Sequence, residues 1–259
     1  MQFQLKKIKS ITSFLLLCFF LPPVFAASTG HVYLGILIGA GISKLDHSNP
    51  QINYDDGFLT DSYPVYNSRS TRAILAANGG YEFLGSGILP ALSLGLGIYG
   101  APKNYAYRGQ LIETAYGDPS FPLYYYKFHR DNLRLMIESK FSWKISTIAP
   151  YVDLGLGWAW NRLSDYRENP VNATGYVALL PFHANTNNHF TYQIGLGISY
   201  LLNCKDLKSD YQQDRISLGY RYVDLGHISF GTRGITYPYS LNFGRLTNNE
   251  IYLAYTHFF

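Results

Sequence analysis

His227 and Ser229 stand two residues apart, the spacing that puts two side chains on one face of a strand and would let an imidazole take a hydroxyl proton. A hydrolase built on that pair also needs a carboxylate to orient the base, and no Asp or Glu lies between Asp224 and Glu250. The triad is incomplete, so the pair reads as the start of a loop after a strand. The histidines fall at 31, 47, 129, 183, 189, 227 and 257; only His183 and His189 share a connection, and that spacing names no metal. Cys18 belongs to an N-terminal leader described below, and Cys204 alone supports neither an internal disulfide nor a zinc or redox motif. These residues predict no enzyme, no metal and no cofactor.

The charges with most to do are Glu82, Arg134, Glu138, Lys140, Asp153 and Arg221. Each occupies one face of a segment whose other face is aliphatic or aromatic. Charges of both signs inside a narrow closed sheet pair with one another. Two outcomes are open: a salt-bridged plug that only rigidifies, or an ion path gated by re-pairing, for example of Glu138 with Arg221.

The elements that would hold these charges are eight segments of period two. The first sets Val32, Leu34, Ile36, Ile38 and Ile42 against Tyr33, Gly35, Gly39 and Gly41. Similar alternation runs through residues 71–83, 90–100, 128–144, 149–162, 190–202, 214–224 and 250–259. The glycine pairs 95 and 97, 155 and 157, and 195 and 197 would cost a helix about 1 kcal/mol per residue, whereas a crowded lumen accommodates them. A soluble sandwich would put polar residues outward; here the polar residues share their face with glycine. The expected fold class is therefore all-β, an eight-stranded antiparallel transmembrane β-barrel.

Composition agrees with a non-aqueous surrounding, at 17% aromatic and 15% charged. Residues 1–26 read as a cleaved secretory signal, with Lys6, Lys7 and Lys9 before an apolar stretch and a cut after Ala26. Leu17 before Cys18 does not suit a lipoprotein site. Cleavage leaves 18 Lys and Arg against 17 Asp and Glu, a net charge of +1, which offers nucleic acid no basic field. No stretch after residue 26 is apolar for the ~20 positions a spanning helix needs, so a closed barrel, with every backbone group paired, is the alternative.

Connections alternate between short (84–89, 145–148, 203–213) and long (44–70, 101–127, 163–189, 225–249), as in a barrel with a periplasmic and an external end. Residues 27–259 thus form one barrel with four long surface loops. Ten strands stay open if a loop hides a hairpin, although residues 63–66 and 179–182 are short and proline-broken. The loops are rich in tyrosine beside Asn, Ser, Asp and Gly, a mixture suited to recognition; Tyr54, Tyr66, Tyr105, Tyr107, Tyr116, Tyr176 and Tyr237 are the candidates. Tyr124–Tyr126 and Trp158 with Trp160 suit the headgroup level instead.

Leu218–Gly226, LGYRYVDLG, resembles a penultimate-strand motif of the opacity-like and OmpA-like outer-membrane barrel families, and Ala149–Gly157, APYVDLGLG, resembles their fifth-strand pattern. Terminal Phe259, after apolar residues at 251, 253 and 255, resembles the signal read by the outer-membrane assembly machinery; His257 stands where Tyr or Phe is commoner. The His227 and Ser229 pair superficially resembles that of outer-membrane lipid A deacylases, without their surrounding sequence. The opacity-like resemblance implies location in a Gram-negative outer membrane, with its lipids and the assembly machinery as partners. It supplies no ligand. The expected role is surface antigen, adhesin or envelope-structural protein, with a host or cell-surface molecule as a possible ligand; a narrow ion or solute channel is the alternative, and a lipid A hydrolase a third.

Overall fold

The computed structural model describes residues 30–46, 49–54, 59–85, 89–115, 120–172, 182–202, 214–233 and 237–259, with the side chains at 54, 103–106, 115, 233, 237 and 238 left aside. The expected signal segment lies outside the described residues. Ten strands follow in chain order: β1 Gly30–Leu45, β2 Gln51–Tyr54, β3 Leu59–Ser62, β4 Arg69–Phe83, β5 Ala91–Ala115, β6 Phe121–Ser142, β7 Ile148–Pro170, β8 Asn185–Leu201, β9 Arg215–Arg233 and β10 Tyr237–Phe258.

Eight of them close on themselves. The order β5-β4-β1-β10-β9-β8-β7-β6 returns from β6 to β5, all antiparallel, so the ring presents no free edge at its middle. The seam between first and last strand runs from Tyr33 opposite Phe258 to Leu45 opposite Leu246. The hairpin β2–β3 leaves this ring and pairs only with the upper end of β5, Leu59 opposite Ala115. The expectation of eight barrel strands holds, and the long connection 44–70 does contain a hairpin, just before the segment 63–66 that sequence reading had weighed.

Around the middle of the ring the outward residues form an apolar belt. Ile137 is 67% exposed and Leu196 62%, which water would not tolerate over a continuous surface but acyl chains do. Trp158 and Phe190 meet edge to face at 5.7 Å on the upper margin, where amphipathic rings suit the interface. Inward positions are small because larger neighbours lie across them: a Cβ on Gly197 or Gly219 would strike the Tyr151 side chain.

Crossing hydrocarbon takes about 9–11 tilted residues, yet β5 has 25 and β7 has 23. The excess rises above the belt, and there the pattern inverts. On β6 the outward Leu133, Leu135 and Ile137 give way to Asp131, His129 and Lys127, while the inward side changes from Glu138, Arg134 and Arg130 to Phe128, Tyr126 and Tyr124. Above the membrane level the barrel has the aromatic interior of a water-soluble domain. Bulges set the phase: Asp165 at φ 52°, and Gly226 and Gly244 at φ 79° and 73°. Each of those glycine amides donates to the residue two before it, Asp224 and Asn242 respectively.

Two sequence expectations are corrected here. Of the four long surface loops expected, 101–127 and 225–249 are largely strand and 44–70 and 163–189 are strand in part, because alternation continues up the ring with its apolar face turned inward. Tyr124 and Tyr126 do not lie at headgroup level; they are buried inside the upper tier, and only Tyr125 of the three faces out.

Candidate functional site

All six charges expected in the lumen point there, at the belt level, and three of them, Arg134, Arg221 and Glu82, pair with two residues that strand alternation alone had not singled out, Glu250 and Arg215. Glu250 on β10 is the hub. Arg134 Nη1 and Nη2 donate to its two carboxylate oxygens at 2.7 and 2.6 Å, Arg221 Nε donates at 2.6 Å, and Asn248 Nδ2 adds a fourth bond at 2.6 Å. Glu250, Arg134 and Arg221 are all buried. The Tyr99 aromatic face lies 4.5 Å from the Arg134 guanidinium and 4.3 Å from that of Arg221, so each cation also gains a cation–π partner.

The expected pairing of Glu138 with Arg221 does not occur. Arg221 is directed to Glu250, and Glu138 instead accepts bonds from the Tyr99 hydroxyl, Gln193 Nε2 at 2.6 Å and Asn78 Nδ2 at 3.3 Å. Asp153 accepts from the Tyr252 hydroxyl at 2.7 Å, which in turn lies 3.0 Å from the Tyr151 hydroxyl. Lys140 packs its ammonium 3.8 Å over the Tyr151 ring and donates to Ser199 Oγ at 3.3 Å. Nearest the short-turn end, Arg215 clamps Glu82 with bonds of 2.7 and 2.5 Å, Ser93 Oγ adds a third at 2.8 Å, and the guanidinium rests on Phe258.

The space left over is small. A cavity of about 60 Å³ lies among Tyr33, Tyr99, Glu138, Asp153 and Tyr252, room for a few waters. A vestibule of about 160 Å³ at the short-turn end is lined by Ser142, Lys144 and Ala149. Glu82, Arg215 and Phe258 line both spaces and so form the pinch between them.

Above this layer the lumen is closed again by aromatic packing. Phe128 lies 5.4 Å from Tyr107, 5.1 Å from Phe230 and 4.9 Å from Phe243, and Tyr166 meets Phe182 edge to face at 5.0 Å. Tyr126 donates its hydroxyl to the Tyr63 carbonyl at 2.9 Å, and burial pushes this phenol well above its usual range. At the edge of this tier, burial and the neighbouring Asp61 raise the Glu113 carboxyl.

The recognition candidates scatter. Tyr66 is 61% exposed on the outer wall. Tyr107 is buried in the aromatic interior, a correction that follows from the inverted alternation. Tyr54, Tyr105 and Tyr237 belong to β2, β5 and β10 without described side chains, while Tyr116 and Tyr176 lie outside the described residues. His227 is exposed beside His189, with ring centroids 6.0 Å apart, and Ser229 Oγ donates to Asn187 Oδ1 at 3.0 Å. No group of three His, Cys, Asp or Glu among the described residues is placed to hold a metal.

Several solved structures are similar. Neisserial surface protein A matches at 11% identity and a TM-score of 0.43, over 88% of this chain and 97% of that one. The outer membrane protein OprG of Pseudomonas aeruginosa matches at 14% and 0.39, over 89% and 96%, and the outer membrane protease OmpT of Escherichia coli at 9% and 0.38, over 88% and 95%. No family model and no curated protein matches the sequence.

Proposed function

We propose that the chain is a Gram-negative outer-membrane protein that displays a rigid extracellular tier, as an adhesin-like antigen or an envelope-structural element, and does not conduct. The observation that carries this reading is the double closure of the lumen. The Arg134–Glu250–Arg221 hub fills the belt level, and the Phe128 cluster fills the tier above it. Opening a path would have to break buried ion pairs, leaving charges without partners at a cost of about 3–5 kcal/mol for each pair, and would also have to unpack an aromatic core.

The apolar belt and the edgeless ring support a membrane setting, and the likeness of the Leu218–Gly226 and Ala149–Gly157 motifs to opacity-like and OmpA-like barrels agrees with it. Phe259, whose amide donates to the Val32 carbonyl at 2.9 Å, ends the seam strand at which an assembly factor would act. The ligand is a host or cell-surface molecule meeting the exposed upper surface, where Tyr66 is the described candidate.

Two measurements test the reading. The refolded chain in a planar bilayer should be electrically silent at all voltages, and a steady ohmic conductance would favour a narrow channel. Cells expressing the chain with residues 173–181 replaced by a short glycine linker should adhere less to their target surface, and undiminished adherence would leave envelope structure as the role.

A further inference from the structure

Arg72 on β4 and Arg130 on β6 are 3% and 1% exposed, and neither makes an ion pair with any described residue. On the inward face of β6, Arg130 lies between Arg134 of the ion hub below and Phe128 of the aromatic cluster above. Arg72 Nη1 donates to the Arg130 carbonyl at 2.6 Å, and Arg130 Nη2 donates to Ser43 Oγ at 2.9 Å. Among the described residues nothing accepts from Arg72 Nε and Nη2 or from Arg130 Nε and Nη1. The Tyr107 hydroxyl, within electrostatic reach of both guanidiniums, is likewise buried without a hydrogen-bond partner there. A buried donor left unpaired is costly, and more so when it carries charge.

The acids nearby are already matched. At the belt level Glu82, Glu138, Asp153 and Glu250 are equalled in number by Arg134, Lys140, Arg215 and Arg221. Glu250 stands in one row with Arg72, across Gly41, but its carboxylate accepts from Arg134, Arg221 and Asn248. Asp131 follows Arg130 directly in β6, so its side chain turns to the opposite face of the sheet. In the upper tier Asp224 pairs with Arg245, and Asp61 accepts from the Tyr63 hydroxyl. Arg72 and Arg130 are therefore cations in excess. A buried lysine can shed its proton, whereas an arginine stays charged at neutral pH. A desolvated pair of this kind calls for a counter-ion from solution.

We propose that Arg72 and Arg130 hold a compact inorganic anion of halide size, locked between the Arg134–Glu250–Arg221 hub and the Phe128 cluster. Guanidinium nitrogens offer donors and no acceptor, which selects an anion. Neither the 60 Å³ cavity nor the vestibule extends to the two arginines, which favours a single-atom ion over phosphate or sulfate. The proposal rests on the double closure of the lumen in the reading above: the ion enters as the chain folds and leaves when it unfolds. The full chain is refolded in non-ionic detergent with bromide as the probe and desalted into gluconate. It is then unfolded, and released bromide is counted by ion chromatography. The wild type should retain about one bromide per chain, and R72Q/R130Q less than about one-tenth of that, with the circular dichroism unchanged. If the double variant does not fold, R72Q alone should lower retention at least about threefold. The urea midpoint of the wild type should rise with bromide and stay level in gluconate. Undiminished retention by the variants, or no retention with a midpoint indifferent to bromide, overturns the proposal and leaves the closed lumen standing. Retention of sulfate in place of bromide from an equimolar mixture also overturns it, assigning the pair to an oxyanion. Loss of bromide on desalting, with a midpoint that still rises with bromide, overturns the lock and the closed lumen together.

Discussion

Replacing Glu250 by alanine removes one carboxylate and strands two buried guanidiniums. Arg134 and Arg221 have side-chain exposures of 1% and 2%, so neither can recover its hydration where it stands. Truncating one partner of a buried pair costs about 3–5 kcal/mol, and because both arginines share one acid the two losses overlap and the total stays near the upper end of that range. This corresponds to a shift of roughly 10³- to 10⁴-fold in the folding equilibrium. Glu82→Ala is the internal comparison. It also strands an arginine, but Arg215 is 10% exposed and borders the vestibule, so water can replace part of what is lost and the cost falls to about 1–3 kcal/mol. The assay is equilibrium urea unfolding of the chain in lipid vesicles, followed by tryptophan fluorescence and by the gel mobility of the compact form. A Glu250→Ala loss under 1 kcal/mol, or one no larger than that of Glu82→Ala, would refute the view that the hub is a desolvated ion triad.

Three further outcomes follow from the same geometry. Phe128→Ala should destabilise the upper tier by about 3–5 kcal/mol yet leave a planar bilayer silent, because the ion triad beneath it is untouched. Gly219→Val, whose Cβ would meet the Tyr151 and Tyr252 side chains, should lower the urea midpoint through a cost of about 1–3 kcal/mol, and Gly219→Ala should do so by less. Glu113→Gln should stabilise slightly at neutral pH: a carboxyl raised in the folded state opposes folding when ionised, so the gain should fade as pH falls through the raised value and vanish once both states are protonated, as read from urea midpoints at several pH values.

Sequence periodicity located the belt because lipid enforces one rule over ten or so residues: apolar outward, small or charged inward. That rule alone brought Glu82, Arg134, Glu138, Lys140, Asp153 and Arg221 to the lumen. It missed Glu250 and Arg215, which stand at the ends of the segments assigned to the last two strands, where an acid or an arginine reads equally well as loop. It also missed the upper tier, where water outside and aromatics inside reverse the rule, so Tyr107 read as a loop residue, Tyr126 as a headgroup-level one, and Phe128, at the start of a predicted strand, was given no face. The signals that could have exposed the reversal were local: Asp224-Leu225-Gly226 and Asn242-Phe243-Gly244 each place a side-chain acceptor two residues before a glycine, the chemistry of a bulge that resets a strand. Pairing across the lumen, by contrast, depends on strand register around the whole ring, which no single segment encodes.

The account stands on a barrel of two tiers with opposite solvent rules, and single-cysteine scanning along β6, in a Cys204→Ser background, tests it most directly. Fluorophores at 133, 135 and 137 should be quenched by a lipid-soluble agent, those at 127 and 129 by an aqueous one, and cysteines at 126 and 128 should resist labelling until the chain unfolds. Ready aqueous labelling of 126 and 128 in the folded protein would mean a water-filled upper lumen and would contradict the account.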